Sequence, residues 1–296
     1  MKKIQQFGFT LIEIMITLVL SMVVIGALGK MFIGSSEMFR KQKSLSYIVQ
    51  DGRYVLDMLA KEFRRIGYLR NKKNLNNTAA DLFLADTDVL GTGINFLAAE
   101  HIRGSFNATG FSSDAFDINH LVLRYQHELS DDNSFASMGE GVSACTKDVH
   151  LASGENPTVQ NIVITLAFYV QEDSVTNEPV LYCKAKKVNF SDSSKNTSSQ
   201  AIPLISNVEK LHILYGVDTD SDSYSNQYLA ANNVSSADWL KISSVRFYIV
   251  VRGEDKSITL KVPSYSIEGK AYTVEAESEK RFYKVFSTTI DFRNMR

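Results

Sequence analysis

The stretch Phe9-Thr10-Leu11-Ile12-Glu13-Ile14-Met15-Ile16-Thr17-Leu18-Val19-Leu20-Ser21-Met22-Val23-Val24-Ile25-Gly26-Ala27-Leu28-Gly29 decides how the rest of the chain is read. Of its 21 residues 15 are apolar, and Glu13 carries its only charge. As a helix it would be ~32 Å long at ~1.5 Å per residue, about the hydrocarbon thickness of a bilayer. Lys2 and Lys3 precede it, so the positive-inside rule keeps the N-terminus in the cytoplasm and sends the remainder across. A cleaved secretory signal has a shorter apolar region. A plain single-span anchor is long enough. Neither gives Glu13 a role, although an acid within a membrane segment is costly and calls for a partner.

Outside this run the chain is ordinary. Its 296 residues suffice for a sizeable core without a metal or disulfide staple. The 32 Lys and Arg nearly balance the 33 Asp and Glu, which argues against a nucleic-acid binder built on overall basic charge. Two cysteines exclude a disulfide-dense scaffold and a four-cysteine zinc site. The average apolar content of 44% conceals an almost wholly apolar start and a polar remainder.

Helical periodicity continues past Gly29. Met38, Gln42, Leu45, Val49, Gly52, Leu56, Leu59, Phe63 and Ile66 recur at alternating steps of four and three, an a/d stripe interrupted by Gln42 and Gly52. No proline falls between Phe9 and Tyr68. One helix from Phe9 to Ile66 would span ~87 Å. Gly26, Gly29 and Gly34 are weak helix formers, placed either to let the helix bend or to let helices approach closely. Lys61, Arg64, Arg65, Arg70, Lys72 and Lys73 form a basic run. Aromatic stacking platforms do not interleave with most of them, so the run is read as a solvated helix C-terminus and nucleic acid is not read as a direct partner.

After Asn71 the pattern turns to short alternating runs. Strands are expected at 120–126, 161–170, 180–185, 208–215, 243–252 and 282–292, with a hairpin turn at Asn177-Glu178-Pro179. Residues 72–117 read as a loop-rich connection and 190–201, rich in serine, as a mobile surface loop. The fold class is α+β, a long N-terminal helix packed on an antiparallel β-sheet head.

The segment Lys2-Lys3 with Gly8-Phe9-Thr10-Leu11-Ile12-Glu13 resembles the class III leader of type IV pilins and pseudopilins. The resemblance implies cleavage between Gly8 and Phe9 by prepilin peptidase, and methylation of the new Phe9 amine. It implies that Glu13 pairs with the Phe9 ammonium of a neighbouring subunit, so that neither charge is stranded in lipid or in a filament core. Leu211-His212-Ile213-Leu214-Tyr215-Gly216-Val217-Asp218-Thr219-Asp220, with Tyr228 to Ala231, Leu123-Arg124-Tyr125, Leu181-Tyr182-Cys183, Val245-Arg246 and Arg293-Asn294, is similar to the PilW-type minor pilins. On that likeness 1–8 is the leader, 9–34 the membrane or filament-core helix, 35–70 its amphipathic half and 71–296 the head.

The implied function is a minor pilin that primes and caps type IV pilus assembly and supports twitching motility, adhesion or DNA uptake. Its partners would be other minor pilins, the major pilin, prepilin peptidase and the inner-membrane assembly platform. It would be a single-pass protein of a Gram-negative inner membrane with a periplasmic head, later moving to the pilus tip at the cell surface. Two other readings stay open: a J-type pseudopilin of a type II secretion system, and a membrane-anchored periplasmic adhesin or binding module.

In an oxidising periplasm Cys145 and Cys183 are expected to pair, closing a loop of about 39 residues worth about 4 kcal/mol in chain entropy. The alternative is two separate buried thiols. Asp218, Asp220 and Asp222 alternate as in a calcium loop, with the Tyr224 carbonyl at position seven. Ser223 and Leu229 stand where that loop needs Gly and Glu, so an ion would need a further ligand such as Asn226. The alternative is a polar surface turn. No cofactor is required, and no H-E-x-x-H pair, P-loop, Rossmann fingerprint or G-x-S-x-G elbow marks an enzyme.

Overall fold

The computed structural model describes residues 10–69, 83–87, 89–106, 119–126, 144–146, 149, 155, 161–256, 259, 264–274 and 280–295. One helix, α1 (Leu11–Phe63), runs for 53 residues. The chain divides into two compact units, Met1–Tyr47 and Ile48–Arg296.

In the first unit the helix is unbroken through Gly26, Gly29 and Gly34, beside which nothing lies within 4 Å of an added Cβ. Every large apolar side chain from Leu11 to Phe39 is exposed. A surface so predominantly apolar, with Glu13, Lys30 and Glu37 as its charges, belongs to a helix that finds its partners outside its own unit.

The second unit holds the rest of α1 and, in chain order, β1 (Ile102–Phe106), β2 (Asn119–Gln126), β3 (Ile162–Glu172), β4 (Pro179–Asn189), β5 (Thr197–Ser198), β6 (Ile202–Ser206), β7 (Val208–Val217), β8 (Gln227–Leu229), β9 (Ile242–Arg252), β10 (Ser264–Ile267), β11 (Lys270–Thr273) and β12 (Tyr283–Asp291). All pairings are antiparallel. One sheet runs β1-β2-β3-β4-β5 with β6 also on β4; a second runs β12-β9-β7-β8; β10 and β11 form a hairpin. Period-two alternation sends Leu121, Leu123, Ile164, Leu166, Phe168, Leu181, Cys183 and Ala185 of the first sheet into one core with Leu211, Ile213, Tyr215, Val245, Phe247, Ile249 and Val251 of the second.

The helix joins that core through Ile48, Val55, Leu59 and Phe63, followed by Ile66, and the Phe63 ring lies 5.1 Å from Phe247. The buried stripe therefore shares Leu59, Phe63 and Ile66 with the seam expected from sequence but takes Ile48 and Val55 in place of Val49 and Leu56, which are half-buried. A head that wraps a wider arc of the helix buries more than the two positions per heptad of a coiled-coil seam. Gly52, a gap in the expected seam, is where the Phe286 ring of β12 lies against the helix in the space a Cβ would take.

The other face of the first sheet is covered too. Val122 and Ala167 form a second core with Val89, Ile94 and Phe96. That double coverage accounts for the unbroken apolar run in β3. It also corrects the reading of 72–117 as loop: within its described part, Asp86 bridges Phe96, and β1 pairs residue for residue with β2. Arg103, Gly104 and Ser105 disguise β1 in the sequence, and Gly104 is small because the Tyr215 side chain packs onto it. Residues 190–201 are likewise ordered. Asp192 caps a short 3-10 turn, β5 pairs with β4, and buried Ser199 exchanges hydrogen bonds with Ala185.

Two clasps close the head. Glu178, in the β3–β4 turn, meets Arg252 of β9 and accepts from Arg281 at 2.9 Å, while Arg252 also reaches Glu209 at 3.0 Å. Asn294 donates from Nδ2 to the carbonyls of Arg64 at 2.8 Å and Ile66 at 3.3 Å, satisfying acceptors just past the end of α1.

Candidate functional site

Gly8 and Phe9, the expected processing and methylation residues, lie outside the described residues. Glu13 lies in the first turn of α1. Its Oε2 accepts from the Thr10 amide at 2.9 Å and from Thr10 Oγ1 at 3.0 Å, and the Glu13 amide donates back to Thr10 Oγ1 at 3.4 Å. This reciprocal pattern is a capping box, in which Thr10 and Glu13 satisfy each other's otherwise orphaned amides. The Thr-x-x-Glu spacing is the sequence signature of such a box, a signal distinct from the charge of Glu13. The carboxylate is thus directed at the start of its own helix, where the macrodipole favours negative charge.

The stretch behind it is long and apolar enough to cross a membrane, and none of it is buried. Thr17 and Ser21 turn their hydroxyls back onto the Ile14 and Leu18 carbonyls, at 2.9 and 2.8 Å, so their polarity is absorbed within the helix.

Cys145 and Cys183 are bonded to each other. Cys183 faces the core from β4, Cys145 lies in a short 3-10 turn, and both are fully buried. The bridge ties the turn at Ala144–Thr146 to the middle of the first sheet.

Asp218, Asp220 and Asp222 do converge, each offering an oxygen within 4.8 Å of the others, in the loop between β7 and β8. Asp218 accepts from the amides of Ser221 at 2.6 Å and Ser223 at 2.8 Å. Burial acts to raise its carboxyl, but the Ser223 and Ser221 amides outweigh it and hold the group below its ordinary value. Asp222 accepts from the Tyr224 amide at 2.8 Å. Asn226 links Asp220, through Nδ2 at 3.0 Å, to Thr219, whose amide it accepts at 2.7 Å. Ser221 and Ser223 have positive φ, 65° and 73°, and the Asp218 bonds to their amides hold those turns. The loop's own amides thus hold three convergent carboxylates in one turn.

The quoted head motifs are structural. Tyr215 packs edge-on against Trp239 at 4.8 Å. The Arg246 guanidinium lies 4.0 Å from the centre of the Tyr228 ring. Arg124 is fully buried, 4.7 Å from the centre of the Phe96 ring and 6.0 Å from that of Phe83. Asn294 closes the helix end. Of the histidines, His101 and His120 are held down to about 4, chiefly by burial and then by Arg124 and Lys184 respectively.

A single exposed apolar helix that begins with a capping box and continues into an antiparallel β head is pilin-like architecture. Residues 4–29 match the family model described as the prokaryotic N-terminal methylation motif, and residues 167–294 match that of PilW, type IV pilus-assembly protein W. Over these two segments the chain is similar to PilW-type proteins of the type IV pilin class. No curated protein is significantly similar to it. Among solved structures, a type IV-like pilin from Thermus thermophilus is 12% identical, with 87% of this chain and 99% of that chain covered and a TM-score of 0.39, a likeness too loose to place any residue.

Proposed function

We propose that this protein is a minor pilin that primes type IV pilus assembly and caps the fibre at or near its tip. Before assembly it is anchored in the inner membrane of a Gram-negative bacterium by Phe9–Gly29, with the head in the periplasm. Prepilin peptidase cuts between Gly8 and Phe9, and the new Phe9 amine is methylated. The apolar helix then passes from bilayer to filament core beside other minor pilins and the major pilin.

The observation that carries this reading is the predominantly apolar, uncovered surface of α1 from Leu11 to Ile33 on a helix that continues into a packed head. Glu13 supplies register. In the capping box its carboxylate sits at the helix start, where a neighbour's Phe9 ammonium can reach it. That pairing neutralises two charges on leaving the headgroup region, whereas either charge alone would be costly in the apolar core. The family is one of structural components, and the head is read as an assembly and recognition module. Twitching motility, adhesion and DNA uptake follow from the fibre.

Mass spectrometry of the mature N-terminus tests the processing step. N-methyl-Phe9 is expected; a cut after residue 20 or beyond overturns the reading. Glu13→Ala is expected to abolish surface piliation while leaving the head folded, and normal piliation in that variant would remove the register role.

A further inference from the structure

The buried face of β4 ends in polar residues. Leu181, Cys183 and Ala185 point into the core, and the period of two points Lys187 and Asn189 the same way. Both side chains are fully buried, as is that of Glu155. Lys187 Nζ lies 2.5 Å from Glu155 Oε2, and Asn189 Nδ2 donates to Glu155 Oε1 at 2.9 Å. Asn189 Oδ1 accepts from two backbone amides, those of Ser191 and Asp192, each at 3.0 Å. An amine, a carboxyl group and a carboxamide therefore share one dry site, and the carboxamide carbonyl is polarised by two fixed donors.

These are the parts of an acyl transfer. A buried lysine amine is a nucleophile once it loses its proton, and the partner that takes the proton must lie within hydrogen-bond reach. Two backbone amides on the carbonyl oxygen are the arrangement that stabilises a tetrahedral oxyanion. One carboxylate bonded to both nitrogens brings nucleophile and electrophile together, so the step is unimolecular. A buried ion pair is by itself weak evidence for stability, because desolvation offsets most of its attraction.

We propose that Lys187 and Asn189 become joined by an intramolecular amide bond, with Glu155 as the proton carrier. Glu155 takes a proton from Lys187 Nζ, and the freed lone pair attacks Asn189 Cγ. The Oδ1 oxyanion rests on the Ser191 and Asp192 amides. Glu155 passes the proton to Nδ2, the Cγ–Nδ2 bond breaks, and ammonia leaves; Nζ gives up its remaining excess proton to Glu155. The product is a neutral amide linking residues 187 and 189 across Val188, with nothing oxidised or reduced. The link staples two same-face residues at the end of β4 and replaces a buried charge pair with a neutral group.

Tryptic mapping of the full chain, exported and purified in detergent, is the test. Trypsin does not cut after an acylated lysine, so the linked protein is expected to give peptide 187–195, lighter by one ammonia, with no fragmentation between 187 and 189. Glu155→Gln is expected to restore cleavage after Lys187 and give peptide 188–195 at its sequence mass. Lys187→Met, which removes the nucleophile, is expected to leave Asn189 intact, and serves where Glu155→Gln does not fold. Wild-type peptide 188–195 at its sequence mass overturns the proposal. The same peptide lighter by one ammonia also overturns it, because the loss then comes from imide formation at Asn189 alone. A linked Glu155→Gln protein removes the proton-carrier role.

Discussion

Within α1, Ile16, Leu20 and Val24 stand 53%, 58% and 55% exposed, whereas Val55, Leu59 and Phe63 are completely buried. Backbone geometry is the same in both stretches. The difference is where the partner surface comes from. Beyond Ile48 the chain supplies it from β3, β4, β7 and β9, and one face of the helix suffices. From Leu11 to Ile33 the apolar residues surround the helix, which suits a solvent that is apolar on every side. One element thus serves two media, and substitutions in it should divide accordingly.

The largest effect is expected from Phe63→Ala, which empties a site between the helix and Phe247. It should destabilise the head by about 3–5 kcal/mol, read from its thermal unfolding. Leu20→Ala should leave the same transition where it is; a comparable drop would break the contrast between the two stretches. Next comes the disulfide. Cys145→Ser with Cys183→Ser, or reduction of the native protein, should cost about 2–4 kcal/mol in the same measurement.

A pH series sharpens the contrast through Glu62. Burial pushes this carboxyl up to about 7, with Arg65 acting in the opposite direction. Because the folded-state value lies above the ordinary 4.5, the group's contribution is fully present below that pH and is lost as pH rises through about 7. Glu62→Gln should therefore raise stability at pH 8 by about 1–3 kcal/mol and do little near pH 4. His101 and His120 work the other way. They are neutral in the fold, with values lowered from 6.5 to about 4, so their contribution is present above pH 6.5 and fades as pH falls toward 4. A melting temperature that fell steadily with acid in wild type and stayed flat in a His101→Gln, His120→Gln variant would assign the acid limb to them. The smallest effect belongs to the first turn. Thr10→Ala should cost about 1 kcal/mol, confined to faster amide exchange near Glu13 in micelles.

Much of this contrast was legible in the residues themselves. The apolar run, the missing prolines and the alternation in β2, β3, β7 and β9 each carry a period that local geometry imposes. Less visible were β1, whose Gly104 is small for the sake of Tyr215, and Ser199, whose hydroxyl accepts from the Ala185 amide inside the fold. Both depend on residues far away in sequence. So does the helix face: Gly52 reads as a flaw until Phe286 arrives from β12. At the start of α1, Glu13 stands out in sequence for its charge, while its duty as a cap follows from the Thr-x-x-Glu spacing. In the Asp218 loop the alternation was visible in sequence and does bring three carboxylates together, while the loop amides that bind them were not visible there.

Asn294 closes the end of α1 from 230 residues away. A ribosome builds the spine early and its clasp more than two hundred residues later. During that interval the carbonyls of Arg64 and Ile66 must be served by water or by a passing companion. Contacts of such long sequence separation form late, because loop-closure entropy must be met before they are rewarded. The joint between spine and head is therefore a timing device, settled only after β12 has been made and its strand has found β9.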